Sequence, residues 1–204
     1  RSTQPEIDFI LNDAGVKLDL RPGVLLPLGE AFAIPTASPE DVAALFYTSG
    51  TTSRPKGVPV SHRAFLTNAE NAARCFTIPQ DSGEDFRTLI SAPLFHVTAC
   101  NSQLILAIYV GGTAVILRSL DIPTLLQAIP SHGISFLVTV PAVYELMLRS
   151  PSFADATVDS VRWLGYGGAP ISSDLVLKLK AAFPGSQTFN GYGMTETASL
   201  ISVL

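Results

Sequence analysis

The chain has 204 residues, 47% hydrophobic and 15% charged, which is enough apolar material for a sizeable core and too little charge for a disordered segment. A net charge of -4 and the lack of any Lys/Arg cluster leave no basic face for nucleic acid. Cys75 and Cys100 are isolated and read as small buried apolar residues, not as a disulfide or a zinc site, which suits a reducing, cytoplasmic setting.

In chain order, residues 1–40 carry Pro22-Gly23, Pro27, Pro35 and Pro39 and predict an irregular segment with short strands at best. The first twenty residues lack the ordering of a signal peptide and read as a chain entered in mid-domain. Beyond residue 40, apolar strand-like runs alternate with amphipathic segments. Val42 to Tyr47 is expected as a buried strand, so the hydroxyl-rich run after it should leave the end of a sheet. Ser61 can cap a helix running to about Cys75, and the polar stretch Thr77 to Asp85 predicts an exposed loop. A strand at Arg87 to Ala92 precedes a helix that opens near His96 and ends at Gly111-Gly112. Its most apolar run, Leu104 to Val110, is far shorter than the roughly 20 residues that span a bilayer. Strands follow at Thr113 to Leu117, Ile134 to Val140, Val161 to Tyr166, with Trp163 in the core, and Gln187 to Asn190. Between them Asp121 with Pro123, Pro141, and Ser172 open helices, the last stopping before Pro184-Gly185. This order predicts an α/β fold, a mostly parallel sheet or pair of sheets flanked by helices, over residues 41–204.

Four stretches carry candidate chemistry. Tyr47 to Val58 offers the hydroxyls of Thr48, Ser49, Thr51, Thr52 and Ser53, close backbone approach at Gly50 and Gly57, and the charge of Lys56, a set suited to a polyphosphate; composition alone fits a solvated turn equally well. It is no Walker A loop, because Pro55 precedes Lys56 and Gly57 follows it. Pro93-Leu94-Phe95-His96 places His96 at a helix start, where it is either a ligand group or a satisfied terminal residue. Tyr166-Gly167-Gly168-Ala169-Pro170 either exposes bare backbone to a ligand or is a plain strand-to-helix turn. In Asn190 to Thr197, Gly191 and Gly193 bracket Tyr192, whose ring can face a flat base, and Glu196 is a hard oxygen ligand of the kind magnesium prefers; taken alone, the run reads as a glycine turn with a packed Tyr and a capping Thr/Glu pair. His62 and His132 have no partners at ligand spacing and read as structural, and no G-x-S-x-G elbow supports a serine hydrolase.

In order along the chain, these stretches resemble the signatures of the adenylate-forming superfamily, which includes acyl-CoA synthetases, adenylation domains and beetle luciferases. The first matches [YF]-T-S-G-[ST]-T-G-x-P-K-G except for Ser53 in the usual glycine place, which costs about 1–2 kcal/mol where the backbone is left-handed. The last matches G-Y-G-x-T-E. The chain most resembles the central part of the N-terminal domain of an acyl-CoA synthetase, from about Ser38 onward.

The resemblance implies ATP-dependent activation of a carboxylic acid to an acyl adenylate, with Mg²⁺, followed by transfer to coenzyme A. Thr48 to Thr52 and Lys56 would hold the β and γ phosphates, Thr195 the α-phosphate, Glu196 the metal and Tyr192 the adenine, with Lys56, Thr195 and Glu196 the catalytic set. Gly168, Ala169 and Pro170 would border adenine and acyl group, and His96 with Gly168 the substrate acid. Amino-acid-activating relatives commonly place Asp where His96 stands, so a fatty or aryl acid is expected. The family keeps a ribose-binding Asp, a hinge and a catalytic Lys downstream of G-Y-G-x-T-E, so a chain stopping at Leu204 is expected to need the C-terminal domain for turnover and to expose apolar surface where the remaining sub-domains dock. The alternatives are a noncatalytic nucleotide-binding module and an adenylation domain that loads a carrier protein.

Overall fold

The computed structural model describes residues 3–21, 23–26, 29, 36–48, 54–79 and 81–204. The chain divides into two compact units, Arg1–Arg63 and Ala64–Leu204, so the division falls inside a helix at residue 63 and not near residue 40.

In the first unit, helix α1 (Gln4–Asp13) occupies sequence expected to be irregular. Its start is written in the chain: Pro5 sits in the first turn, and the Thr3 backbone N–H donates to the Glu6 carboxylate at 2.6 Å. Pro22, Pro27 and Pro35, on which the irregular reading rested, lie outside the described residues. Strands β1 (Val42–Thr48) and β2 (Lys56–Ser61) form a two-stranded antiparallel sheet, with Thr48 opposite Lys56, Tyr47 opposite Gly57 and Phe46 opposite Val58. This corrects the expectation of a buried strand: of β1 and β2 only Phe46 and Val60 are buried, and Leu45 is 43% exposed. A continuous apolar run does not distinguish a strand enclosed on both faces from one half of a hairpin. Pro59 helped to hide β2, yet a strand with one neighbour tolerates proline on its open side.

Helix α2 (His62–Cys75) leads into the second unit, a six-stranded sheet in the order β4-β3-β5-β6-β7-β8. The strands are β3 (Arg87–Ile90), β4 (Thr113–Ile116), β5 (Phe136–Thr139), β6 (Trp163–Gly167), β7 (Gln187–Met194) and β8 (Ser199–Val203). All neighbours run parallel except β8, which runs antiparallel to β7. Strand β8 was not anticipated, and β7 runs four residues past the expected end, so Tyr192 lies within the strand. Between β3 and β4, α3 (Val97–Ala99), a π turn (Cys100–Ile105) and α4 (Leu106–Tyr109) follow without a break.

The remaining helices, α5 (Ile122–His132), α6 (Pro141–Arg149) and α7 (Ser173–Ala182), start where the sequence predicts. Asp121 accepts from the Thr124 N–H at 2.9 Å and Ser172 from the Leu175 N–H at 3.2 Å, each supplying an N-cap. Alternation along the strands sends Leu137 and Leu164 to one face, under Ile129, Tyr144 and Leu179 of α5 to α7. It sends Phe136, Val138 and Trp163 to the other, under Ala72 of α2 and Leu106 of α4. Helices therefore cover both faces. The buried Tyr144 hydroxyl donates to the Leu137 and Gly165 carbonyls, at 3.0 and 2.8 Å. Among the described residues no helix is long and apolar enough to cross a membrane. Cys75 is exposed, contrary to its assignment to the core, and both cysteines are free thiols.

Candidate active site at the carboxyl edge of the sheet

From β3 the chain crosses outward to β4, whereas β5, β6 and β7 build in the other direction, so the strand order reverses between β3 and β5. In open α/β sheets ligands sit in the crevice outside the strand carboxyl ends at such a reversal. A cleft of about 570 Å³ lies there. His96 reaches it from the segment after β3, Arg118 from after β4, Val140 from after β5, Gly168 from after β6 and Thr195 from after β7. A recess of about 60 Å³, walled in part by Gly165, Gly167, Gly191 and Gly193, shares Val97, Thr98, Val138 and Gly168 with it.

Two of these glycines have a definite reason. Gly168 has φ +73°, a left-handed conformation, and it turns β6 outward over Val140. A Cβ on Gly193 would fall on the Ser199 carbonyl, at the irregularity where β7 and β8 slip register after Tyr192. The turn between these strands is a single 3-10 turn, Thr195–Thr197. The Met194 N–H donates to the Thr197 hydroxyl at 3.2 Å, and that hydroxyl donates to the Met194 and Ser199 carbonyls, each at 3.0 Å.

The cleft thus brings together His96, Gly168 and Thr195 of the anticipated residues, with Gly191 and Gly193 in the recess. Ala169 and Pro170 follow Gly168 on the surface and line neither cavity. Tyr192, opposite Ser202 in β7, is 60% exposed and also outside both. Glu196 is exposed beside Thr195, and among the described residues no three metal-ligating side chains cluster. Magnesium keeps several waters and binds through one or two carboxylates plus substrate phosphates, so a single exposed Glu fits that ion and not a protein-enclosed metal. The Phe95 and His96 rings lie against each other, tilted by 47°, at 4.5 Å between centroids. Burial pushes the Cys100 thiol up, which argues against a nucleophilic or metal-binding role.

In the first unit, Thr48 and Lys56 pair directly and bring together the two ends of the hydroxyl-rich loop. Ser49, Gly50, Thr51, Thr52 and Ser53 lie outside the described residues. The Tyr47 hydroxyl donates to the Asp13 carboxylate at 2.6 Å, which holds the phenol up at about 12. Sequence reasoning missed Thr98, Arg118 and Val140 in the cleft; placing the strand reversal first would have drawn attention to residues just past β4 and β5.

Compared with known proteins, residues 12–204 match the family model described as AMP-binding enzyme. 4-Coumarate–CoA ligase 1 of Solanum tuberosum is 33% identical over 165 residues, covering 81% of this chain and 30% of the relative. Feruloyl-CoA synthase of an Amycolatopsis species is 32% identical over 220 residues, covering 98% of this chain and 44% of the relative. The chain therefore spans less than half the length of these relatives. Among solved structures, the o-succinylbenzoate coenzyme A synthetase of Bacillus subtilis in complex with ATP and magnesium superposes with a TM-score of 0.73 at 28% identity, over 86% of this chain and 36% of that one. On the family match, and with a mostly parallel, doubly covered sheet of the same fold, this chain belongs to the AMP-binding enzyme family.

Proposed function

We propose that the gene's full product activates a carboxylic acid with ATP and passes the acyl group to the thiol of coenzyme A. The observation that carries this reading is the convergence of His96, Gly168 and Thr195, from three separate strand ends, on one cleft at the strand reversal. In the first step an acid oxygen bonds to the α-phosphorus as its bond to the β-phosphate oxygen breaks, giving acyl adenylate and pyrophosphate. In the second the thiol sulfur bonds to the acyl carbon, AMP departs with the former acid oxygen, and the thiol proton goes to solvent.

Such chemistry rests on positioning and charge neutralisation. Lys56 with Thr48, Ser49, Gly50, Thr51 and Thr52 is assigned to the β and γ phosphates and Thr195 to the α-phosphate. Tyr192, Gly191, Gly193 and the Gly168-Ala169-Pro170 turn are assigned to the nucleoside side, and Glu196 to magnesium, which when bound neutralises phosphate charge. His96, in tilted ring contact with Phe95 at the cleft, suits an uncharged acyl chain better than an α-ammonium group. The relatives named for 4-coumarate and ferulate favour an aryl acid over a fatty acid.

Acid-dependent exchange of labelled pyrophosphate into ATP, run with 4-coumaric, ferulic and hexanoic acids, tests the reading. Exchange should appear with the aryl acids, and Lys56→Ala and Glu196→Gln should each lower it about a hundredfold. ATP binding without exchange on any acid would instead mark a noncatalytic nucleotide-binding module.

A further inference from the structure

The turn that bears Thr195 and Glu196 is held from behind by side chains that no motif marks. Ala198 and Ser199, which lead from this turn into β8, have φ of 56° and 109°, conformations that non-glycine residues keep only where the surroundings over-determine them. Here the surroundings are polar and buried. The Asn101 side-chain amide donates to the Ala198 carbonyl at 2.6 Å, the Ser102 and Ser199 hydroxyls lie 2.6 Å apart, and the Asn68 amide donates to the Leu200 carbonyl at 3.0 Å. Asn101 is 1% exposed and Asn68 7%. Three successive residues after the motif are thus each fixed by a side chain from α2 or the π turn.

The π turn links this clamp to the cleft. His96, Val97 and Thr98 line the cleft, and within the next turn of the same helical stretch Asn101 and Ser102 reach Ala198 and Ser199. One continuous helical segment therefore contributes both to the wall that carries His96 and to the turn that carries Thr195; π turns inside helices are frequent at functional sites. The amides also have a cost that packing alone does not justify. With their N–H groups committed to backbone carbonyls, the Oδ1 atoms of Asn68 and Asn101 meet no protein donor among the described residues, an arrangement that an apolar side chain of similar shape would avoid.

We propose that Asn101, assisted by Asn68, is a positioning residue that fixes Ala198 to Leu200 and so holds Thr195 and Glu196 at the cleft edge for the nucleotide phosphates and their magnesium. The assignment rests on the function proposed above. It gives Asn101 no contact with substrate; its effect passes through the turn.

Amide deuterium exchange, together with binding of MgATP and of metal-free AMP, tests the proposal on the gene's full product carrying Asn101→Leu and, separately, Asn68→Leu. Exchange over residues 195–200 should quicken at least about tenfold while β5 and β6 stay protected. MgATP affinity should fall about tenfold, as expected when a group orienting a metal-binding side chain is lost, and AMP affinity by clearly less. Unchanged exchange over 195–200 in a folded variant overturns the clamp, whatever nucleotide binding does. Quicker exchange with MgATP and AMP weakened alike makes the amides merely structural and overturns the positioning role. A parent protein that binds no MgATP overturns the underlying functional reading and the positioning role with it, and it is told apart from the other failures because it appears before any substitution is made. If Asn101→Leu does not fold, the Asn68 variant decides.

Discussion

Among the described residues, two antiparallel strand pairs carry the hydroxyl-rich motifs, and they are built in different ways. The β1–β2 pair is a sheet of its own, buries only Phe46 and Val60, and gains its local order from exposed contacts: Tyr47 lying against Gly57, Tyr47 donating to Asp13, and the Arg54 guanidinium 5.7 Å above the Phe9 ring. The β7–β8 pair extends four parallel strands, and its turn is fastened by buried amides and hydroxyls. An isolated two-stranded hairpin is marginal in water, whereas a pair built into a covered sheet shares the stability of the whole. A glycine-rich motif therefore says where backbone must come close, but not how firmly it is held.

Substitution at one glycine in each pair offers the sharpest way to break this contrast. Gly193→Ala puts a methyl group on the Ser199 carbonyl, within a turn that cannot shift without breaking the Asn101 and Ser102 contacts. We expect a loss of about 3 kcal/mol in urea unfolding; a loss below about 1 kcal/mol would mean that the turn yields and is not rigidly held. Thr197→Val should come next, at about 1–2 kcal/mol, because it removes the hydroxyl that accepts from the Met194 N–H and donates to two carbonyls, leaving them without these partners. Gly57→Ala should lie within about 0.5 kcal/mol of the parent. Its new Cβ would meet the Leu45 and Tyr47 side chains at 3.3 Å, so each need give by only a few tenths of an ångström. A cost at Gly57 as large as that at Gly193 would erase the distinction between the two pairs.

The same contrast decides what could be read from the sequence. Strands β3, β5 and β6 and helices α5 to α7 were legible because burial on both sheet faces leaves compact apolar runs, and caps such as Asp121 and Ser172 mark helix starts. Strand β2 was hidden by Pro59 and Gly57, and β8 by its position directly after a motif that reads as a turn. Helix α1 had a signal that proline-rich surroundings outweighed, namely Thr3 three residues before Glu6. Within the site, His96, Gly168 and Thr195 were legible because glycine spacing and motif order single them out. Asn101 was not: an asparagine within a helical segment carries no local sign of the backbone carbonyl it will meet 97 residues later.

Another small effect is expected in the exposed hairpin, where pH gives it a recognisable form. The Asp13 carboxylate accepts from the Tyr47 hydroxyl at 2.6 Å and holds the phenol up at about 12, against about 10 for an unfolded tyrosine. A group whose folded pKa is raised adds stability that is complete below the unfolded value and is lost as pH rises through the folded one. The hydrogen bond should therefore stabilise the fold fully below about pH 10 and lose its effect between about 10 and 12. Because the pair is open to solvent, Tyr47→Phe should cost no more than about 1 kcal/mol at neutral pH, and the gap between parent and variant should close across that alkaline window. In the ultraviolet, the parent-minus-variant difference in phenolate absorbance should have its midpoint near 12. A midpoint near 10 would remove the Tyr47–Asp13 hydrogen bond in solution and with it the link between β1 and α1 that this pair supplies.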